Sequence, residues 1–177
     1  MKLNRTVALV GMMGAGKTSV GRRLAARLAV PFRDADHEIE AAAGLSVAEI
    51  FARFGEAHFR AGERKVIARL LNEPPHVLAT GGGAIMDEAT RAAMREAAFT
   101  IWLKAPLGLL VSRVKKRDSR PLLKDGDMRA TMERLLAIRE PVYATADMVL
   151  ESADEPHGVA VERIIAALRE RGLYEDA

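Results

Sequence analysis

The sequence predicts a single α/β domain, a parallel sheet covered by helices on both faces. Two observations carry that expectation. Short β-branched runs alternate with stretches of helical periodicity from one end of the chain to the other. The 177 residues also fit one domain and suffice to bury a real core.

Residues 6–10 form a β-branched run closed by glycines, and residues 17–28 then space Val20, Leu24 and Leu28 along one helix face. Residues 30–33 read as a second strand, followed by Asp34-Ala35-Asp36. Helices are predicted over 38–43, 47–54 and 57–71, the last closed by Pro74-Pro75. Residues 76–80 form a strand that runs into Gly81-Gly82-Gly83. A helix over 90–98, a strand over 99–103 and a helix over 107–116 follow. Residues 117–127 are polar, hold Pro121 and Gly126, and read as a mobile loop. A helix over 128–144, a strand over 148–150 and a last helix carrying Val161, Ile164, Ile165 and Leu168 complete the alternation. No repeat or linker interrupts it, so residues 1–177 are read as one domain.

Composition removes several classes of function. There is no cysteine, so disulfides and cysteine-ligated clusters are excluded. The four histidines (His37, His58, His76, His157) lack metal-ligand spacing. A net charge of +3 is too small to imply nucleic acid by itself. Apolar residues near the amino terminus mimic a signal peptide, but Gly11, Gly14, Gly16 and Lys17 interrupt them. No stretch approaches the roughly 18 apolar residues that span a bilayer. A cytoplasmic protein with no membrane or nucleic-acid partner is therefore expected.

The strongest chemical signal is Gly11-Met12-Met13-Gly14-Ala15-Gly16-Lys17-Thr18, a complete G-x-x-x-x-G-K-[ST] pattern between a strand and a helix. Backbone N–H groups there can wrap a polyphosphate, and the following helix end attracts anions. Lys17 would reach the β and γ phosphates, and the Thr18 hydroxyl would ligate Mg²⁺. Asp34 and Asp36 are two apart at the end of the second strand, where extended geometry points both to one face. They suit Mg²⁺ and a substrate hydroxyl, and an aspartate before a helix also suits capping. The Gly81–Gly83 triplet fits either a backbone that touches a ligand or a loose turn. Arg60 and Glu63 share a helix face, and the two arginines Arg60 and Arg139, converging on a pocket, would offer bidentate recognition of a carboxylate. The chain holds 20 arginines, most of which must be solvated. Arg113, Lys115, Lys116, Arg117 and Arg120 concentrate positive charge around the 117–127 loop. A phosphate-covering lid, a nucleic-acid patch and a solvated loop all fit that cluster, although no aromatic residues interleave with it for base stacking.

Taken together, these motifs resemble shikimate kinases over about residues 5–168. The matching pieces are the phosphate loop, Asp34-x-Asp36, Gly55-Glu56-x-x-Phe59-Arg60-x-x-Glu63, Gly81-Gly82-Gly83, Arg120-Pro121-Leu122-Leu123 and Arg139-x-Pro141-x-Tyr143. Gly62, which weakens a helix beside Arg60 and Glu63, departs mildly from the pattern. The resemblance implies a three-layer αβα P-loop fold with a five-stranded parallel sheet, a substrate-binding helical segment at about 34–63 and a lid at about 117–127. It implies a monomer that phosphorylates the 3-hydroxyl of shikimate with ATP and Mg²⁺, on the route to chorismate and aromatic amino acids. By the same resemblance Lys17, Asp36 and Arg120 are catalytic. Gly14, Ala15, Gly16, Lys17, Thr18, Ser19, Arg113 and Arg120 bind nucleotide, with Arg113 packing on adenine. Asp36, Arg60, Gly82, Gly83 and Arg139 bind shikimate, Thr18 and Asp34 serve the metal, and Glu63 supports Arg60. The alternatives are a related small-metabolite kinase, such as a gluconate kinase, and a nucleotide-binding module without turnover.

Overall fold

The computed structural model describes residues 2–117 and 127–175. Strand β1 (Lys2–Leu3) precedes β2 (Thr6–Val10), and every residue of β2 is buried. A strand that is apolar on both faces belongs in the middle of a parallel sheet. β2 pairs in parallel with β4 (Val77–Ala79) on one side and with β5 (Ala98–Lys104) on the other. β3 (Phe32–Asp34) and β6 (Met148–Glu151) take the edges, so the sheet runs β3-β4-β2-β5-β6 with all pairings parallel. Helices α1 (Lys17–Leu28), α2 (Ala35–Ala43), α3 (Val47–Leu71), α4 (Glu88–Ala97), α5 (Leu107–Lys115), α6 (Met128–Tyr143) and α7 (His157–Glu170) flank it. This is the three-layer P-loop architecture that the sequence predicts.

Helix periodicity translates directly into packing. Val20, Leu24 and Leu28 of α1 are buried, as are Val161, Ile164, Ile165 and Leu168 of α7, and the two helices lie against each other. None of the described helices is long and apolar enough to cross a membrane.

Several boundaries differ from the sequence reading, each for a local reason. Val30 does not open a strand, because its N–H donates to the Ala25 carbonyl (3.0 Å) and completes the cap of α1. α2 begins at Ala35, three residues early, because Asp34 caps it. The helices expected over 47–54 and 57–71 form a single run, α3, bent at Gly55 (φ 82°, ψ 175°). Its start is held by a capping box, in which Ser46 Oγ accepts from Glu49 N (3.1 Å) and Glu49 accepts from Ser46 N (2.8 Å). α3 runs through Gly62 without interruption. β1 pairs antiparallel with β7 (Tyr174–Glu175), a two-residue ladder too short to leave a periodic signature. Residues 118–126 lie outside the described residues, and with them Arg120 and most of the expected lid.

Candidate active site

Parallel strands deliver their carboxyl ends to one edge of the sheet, and the predicted residues that the structure describes lie around it. The loop from β2 to α1 is built on left-handed backbone at Gly14 (φ 82°) and Gly16 (φ 92°), which only glycine adopts without strain. Gly16 caps α1 without any side-chain hydrogen bond, and the positive end of this twelve-residue helix adds its attraction for anions to the loop. Ala15 uses its N–H inside the turn, donating to Met12 O at 3.1 Å. Lys17 Nζ donates to the carbonyls of Gly11 (2.6 Å) and Met12 (2.9 Å), so its ammonium is held against the loop. Ser19 lies half-buried in the first turn of α1.

Thr18 and Asp34 meet as expected, with Thr18 Oγ1 donating to Asp34 Oδ2 at 3.0 Å. The other oxygen of Asp34 accepts from the N–H groups of Asp36 (3.1 Å) and His37 (3.4 Å). Capping and site geometry thus coexist in one carboxylate. The expectation that Asp34 and Asp36 both sit in extended backbone needs correction. β3 ends at Asp34, and Asp36 belongs to the first turn of α2. Its carboxylate still reaches the site, since a Cβ placed on Gly81 would lie 3.1 Å from Asp36 Oδ1. The hydroxyl and carboxylate oxygens of Thr18 and Asp34 are hard donors of the kind Mg²⁺ prefers. Among the described residues no group of three or more metal-binding side chains assembles.

Behind Asp36 opens a cavity of about 400 Å³, lined by Arg60, Glu63, Arg139, Gly81–Gly83 and the apolar side chains of Met13, Phe51 and Phe59. Arg139 is only 6% exposed, so it is not one of the solvated arginines. A Cβ on Gly82 would sit 3.0 Å from Arg139 Nη1, and one on Gly83 would sit 2.8 Å from Arg60 Cζ. The triplet is therefore a close-approach surface for two guanidinium groups, and the loose-turn reading falls away. Arg60 Nη1 donates to Glu63 Oε1 (2.8 Å), and Phe59 lies under the guanidinium at 5.2 Å. Burial pushes the Glu63 carboxyl above its ordinary range, while Arg60 pulls it back. Glu63 Oε2 is buried without a hydrogen-bond partner and lies 3.1 Å from the Cβ position of Gly81.

Sequence reasoning gave no separate role to Tyr143, Phe51 or Met13. Tyr143 stands one helical turn after Arg139, and its hydroxyl donates to the Gly82 carbonyl, which holds the glycine triplet in place. Burial pushes its phenol up to about 12, so it remains a donor at any working pH. Phe51 stacks on Phe59 at 4.7 Å between centroids. Only the periodicity of α3 could have marked Phe51 in advance. Arg113, expected near the nucleotide, places Nη1 3.2 Å from the Gly14 carbonyl of the phosphate loop. A smaller chamber beside Gly14, Gly16, Lys17, Thr18 and Asp34 shares Asp36, Gly81 and Gly82 with the larger cavity. The larger space, with two guanidinium groups in its lining, suits a compact anion, and a shared wall joins it to the chamber along the glycine loop.

Comparison with known proteins agrees with this geometry. The family model described as shikimate kinase matches residues 13–169. A shikimate kinase from Caulobacter vibrioides is 57% identical over 166 residues, covering 94% of this chain and 83% of that relative. A solved structure of shikimate kinase from Acinetobacter baumannii in complex with shikimate superimposes with a TM-score of 0.92. It is 35% identical and covers 94% of each chain. A gluconokinase from Sinorhizobium meliloti, covering 96% of this chain and 94% of its own, shares the fold alone, with a TM-score of 0.67 and 17% identity. On both the matched sequence and the matched structure, the chain belongs to the shikimate kinase family.

Proposed function

We propose the following division of labour for the activity this family carries, the ATP-dependent phosphorylation of shikimate at its 3-hydroxyl. The observation that carries it is the shared wall. Asp36, Gly81 and Gly82 border both the phosphate-loop chamber and the arginine-lined cavity. A nucleotide on the loop and a hydroxylated acid in the cavity would place phosphoryl donor and acceptor side by side.

In this reading the amides of Gly14, Gly16, Lys17, Thr18 and Ser19 cradle the phosphates, while Ala15, whose N–H donates to Met12 O, shapes the turn that presents them. Lys17 neutralises charge that develops on the transferring group. Thr18 and Asp34 hold the Mg²⁺ that accompanies ATP, which contributes charge neutralisation when bound. Arg60 and Arg139 clamp the shikimate carboxylate against Gly82 and Gly83, and Phe59 with Met13 packs the ring. Glu63 fixes the orientation of Arg60. Asp36 accepts a hydrogen bond from the acceptor hydroxyl, aligns it, and takes its proton as the new oxygen–phosphorus bond forms and the bond from the γ-phosphorus to the bridging oxygen breaks, releasing ADP. Arg113 and Arg120 complete the nucleotide side, the latter on the strength of its sequence motif. A monomer working in the cytoplasm, on the route to chorismate and aromatic amino acids, fits this reading.

The experiment that tests the clamp is steady-state kinetics of Arg139→Ala and Arg60→Ala. Losing one charge-assisted pair costs on the order of 2–5 kcal/mol, so KM for shikimate should rise roughly 30-fold or more. KM for ATP should stay within about threefold, because neither side chain serves the nucleotide. Arg139→Ala is the cleaner variant, since removing Arg60 also strips Glu63 of its ion-pair partner (2.8 Å). Equal changes in both KM values would contradict the assignment.

A further inference from the structure

The first residue of α7, His157, reaches the phosphate loop from the far end of the chain. A Cβ placed on Gly16 would lie 3.3 Å from His157 Cε1 and 3.7 Å from its Nδ1, with Arg113 Nη1 at 3.9 Å. The imidazole therefore stands at the glycine that opens α1, half-buried, on the side of the loop already occupied by Arg113. The charged groups that face it are Arg23 from α1, Arg113 from the last turn of α5 and Arg117 from the turn that follows α5. All three are cationic, and the amino-terminal end of α7 adds positive potential of its own. Burial first, and then these guanidinium groups, push the imidazole below its ordinary range. Near neutral pH it is uncharged while the loop holds no anion.

A polyphosphate changes that balance. It brings several negative charges to Gly16, and an opposite charge within a few ångströms favours the protonated imidazole. We propose that His157 is a positioning residue for the nucleotide, which takes up a proton as the polyphosphate settles on the loop and then holds it as a cation. This rests on the reading that a nucleoside polyphosphate occupies that loop. By linkage, a proton that tightens nucleotide binding is itself bound more tightly by the complex. Nucleotide affinity should then gain from His157 as pH falls from the raised value of the complex toward the lowered value of the free protein. Above both values the gain vanishes.

The test is calorimetric titration of the full chain with ADP and Mg²⁺, for wild type and His157→Gln, in buffers of different ionisation enthalpy. ADP carries its own titrating phosphate, so the difference in proton uptake between the two proteins isolates the imidazole. At about pH 6.5 wild type should take up more protons per ADP than the variant, and bind it tighter. At about pH 8.5 the two affinities should converge. His157→Lys, with a fixed charge, should bind tightly without the extra proton uptake. Equal proton uptake by wild type and His157→Gln, with ADP bound normally by both, would overturn the inference alone. Failure of wild type to bind ADP would overturn it together with the nucleotide reading of the loop.

Discussion

Lys17→Ala is expected to abolish phosphoryl transfer while leaving the fold standing. Transfer of a phosphoryl group asks little covalent chemistry of the protein, so positioning and charge neutralisation supply nearly all the acceleration. Lys17 is the cation that the loop itself provides, tied by its ammonium to the Gly11 (2.6 Å) and Met12 (2.9 Å) carbonyls. Removal of one preorganised donor costs about 10²–10³ in kcat, and loss of a full charge at the transferring group should cost at least that. The fold should survive, because β2 and the buried face of α1 (Val20, Leu24, Leu28) do not depend on this side chain. A variant with unchanged circular dichroism and near wild-type turnover would contradict the assignment.

Asp36→Asn carries the second large effect. Asparagine keeps the size and one hydrogen bond of the side chain but cannot accept a proton, so kcat should fall by roughly 10²–10⁴. Stability should change little. The cap of α2 is Asp34, whose carboxylate takes the N–H groups of Asp36 and His37. Asp36 contributes to that helix only through its charge near the amino-terminal end, worth about 0.3–1 kcal/mol. Thermal melting alongside kinetics separates the two roles. Retained activity with a much lower Tm would make Asp36 a structural residue and return the base to another group.

The residues most legible in advance were those whose geometry is local. The phosphate loop follows from glycines and a lysine at fixed spacing between a strand and a helix, and the structure reproduces it down to the positive φ of Gly14 and Gly16. The bend at Gly55 was likewise readable as a break between two helical patterns. Asp34 and Asp36 were located correctly but placed on the wrong backbone, because the cap that starts α2 depends on side-chain hydrogen bonds and leaves no trace in the apolar periodicity. Arg60 and Arg139 could not be separated from 20 arginines by pattern alone. The motif resemblance singles them out, and α3 and α6 bring them to adjacent glycines, Arg60 to Gly83 and Arg139 to Gly82. His157 was out of reach. Its approach to Gly16 joins residues at opposite ends of the chain, and only the packing of α7 on α1 creates it. The β1–β7 ladder is two residues long on each side, below the length at which alternation means anything.

In the proposed reading the two chambers form one kinase site whose acceptor is shikimate. The fold is shared with a gluconokinase at 17% identity, so acceptor choice must come from the cavity and not from the architecture. A coupled assay of ADP release, with ATP and Mg²⁺ and each of shikimate, gluconate and the nucleoside monophosphates as acceptor, measures that choice directly. The account predicts saturable ADP release with shikimate and only background with the others. Turnover of gluconate or a nucleoside monophosphate without turnover of shikimate would contradict it.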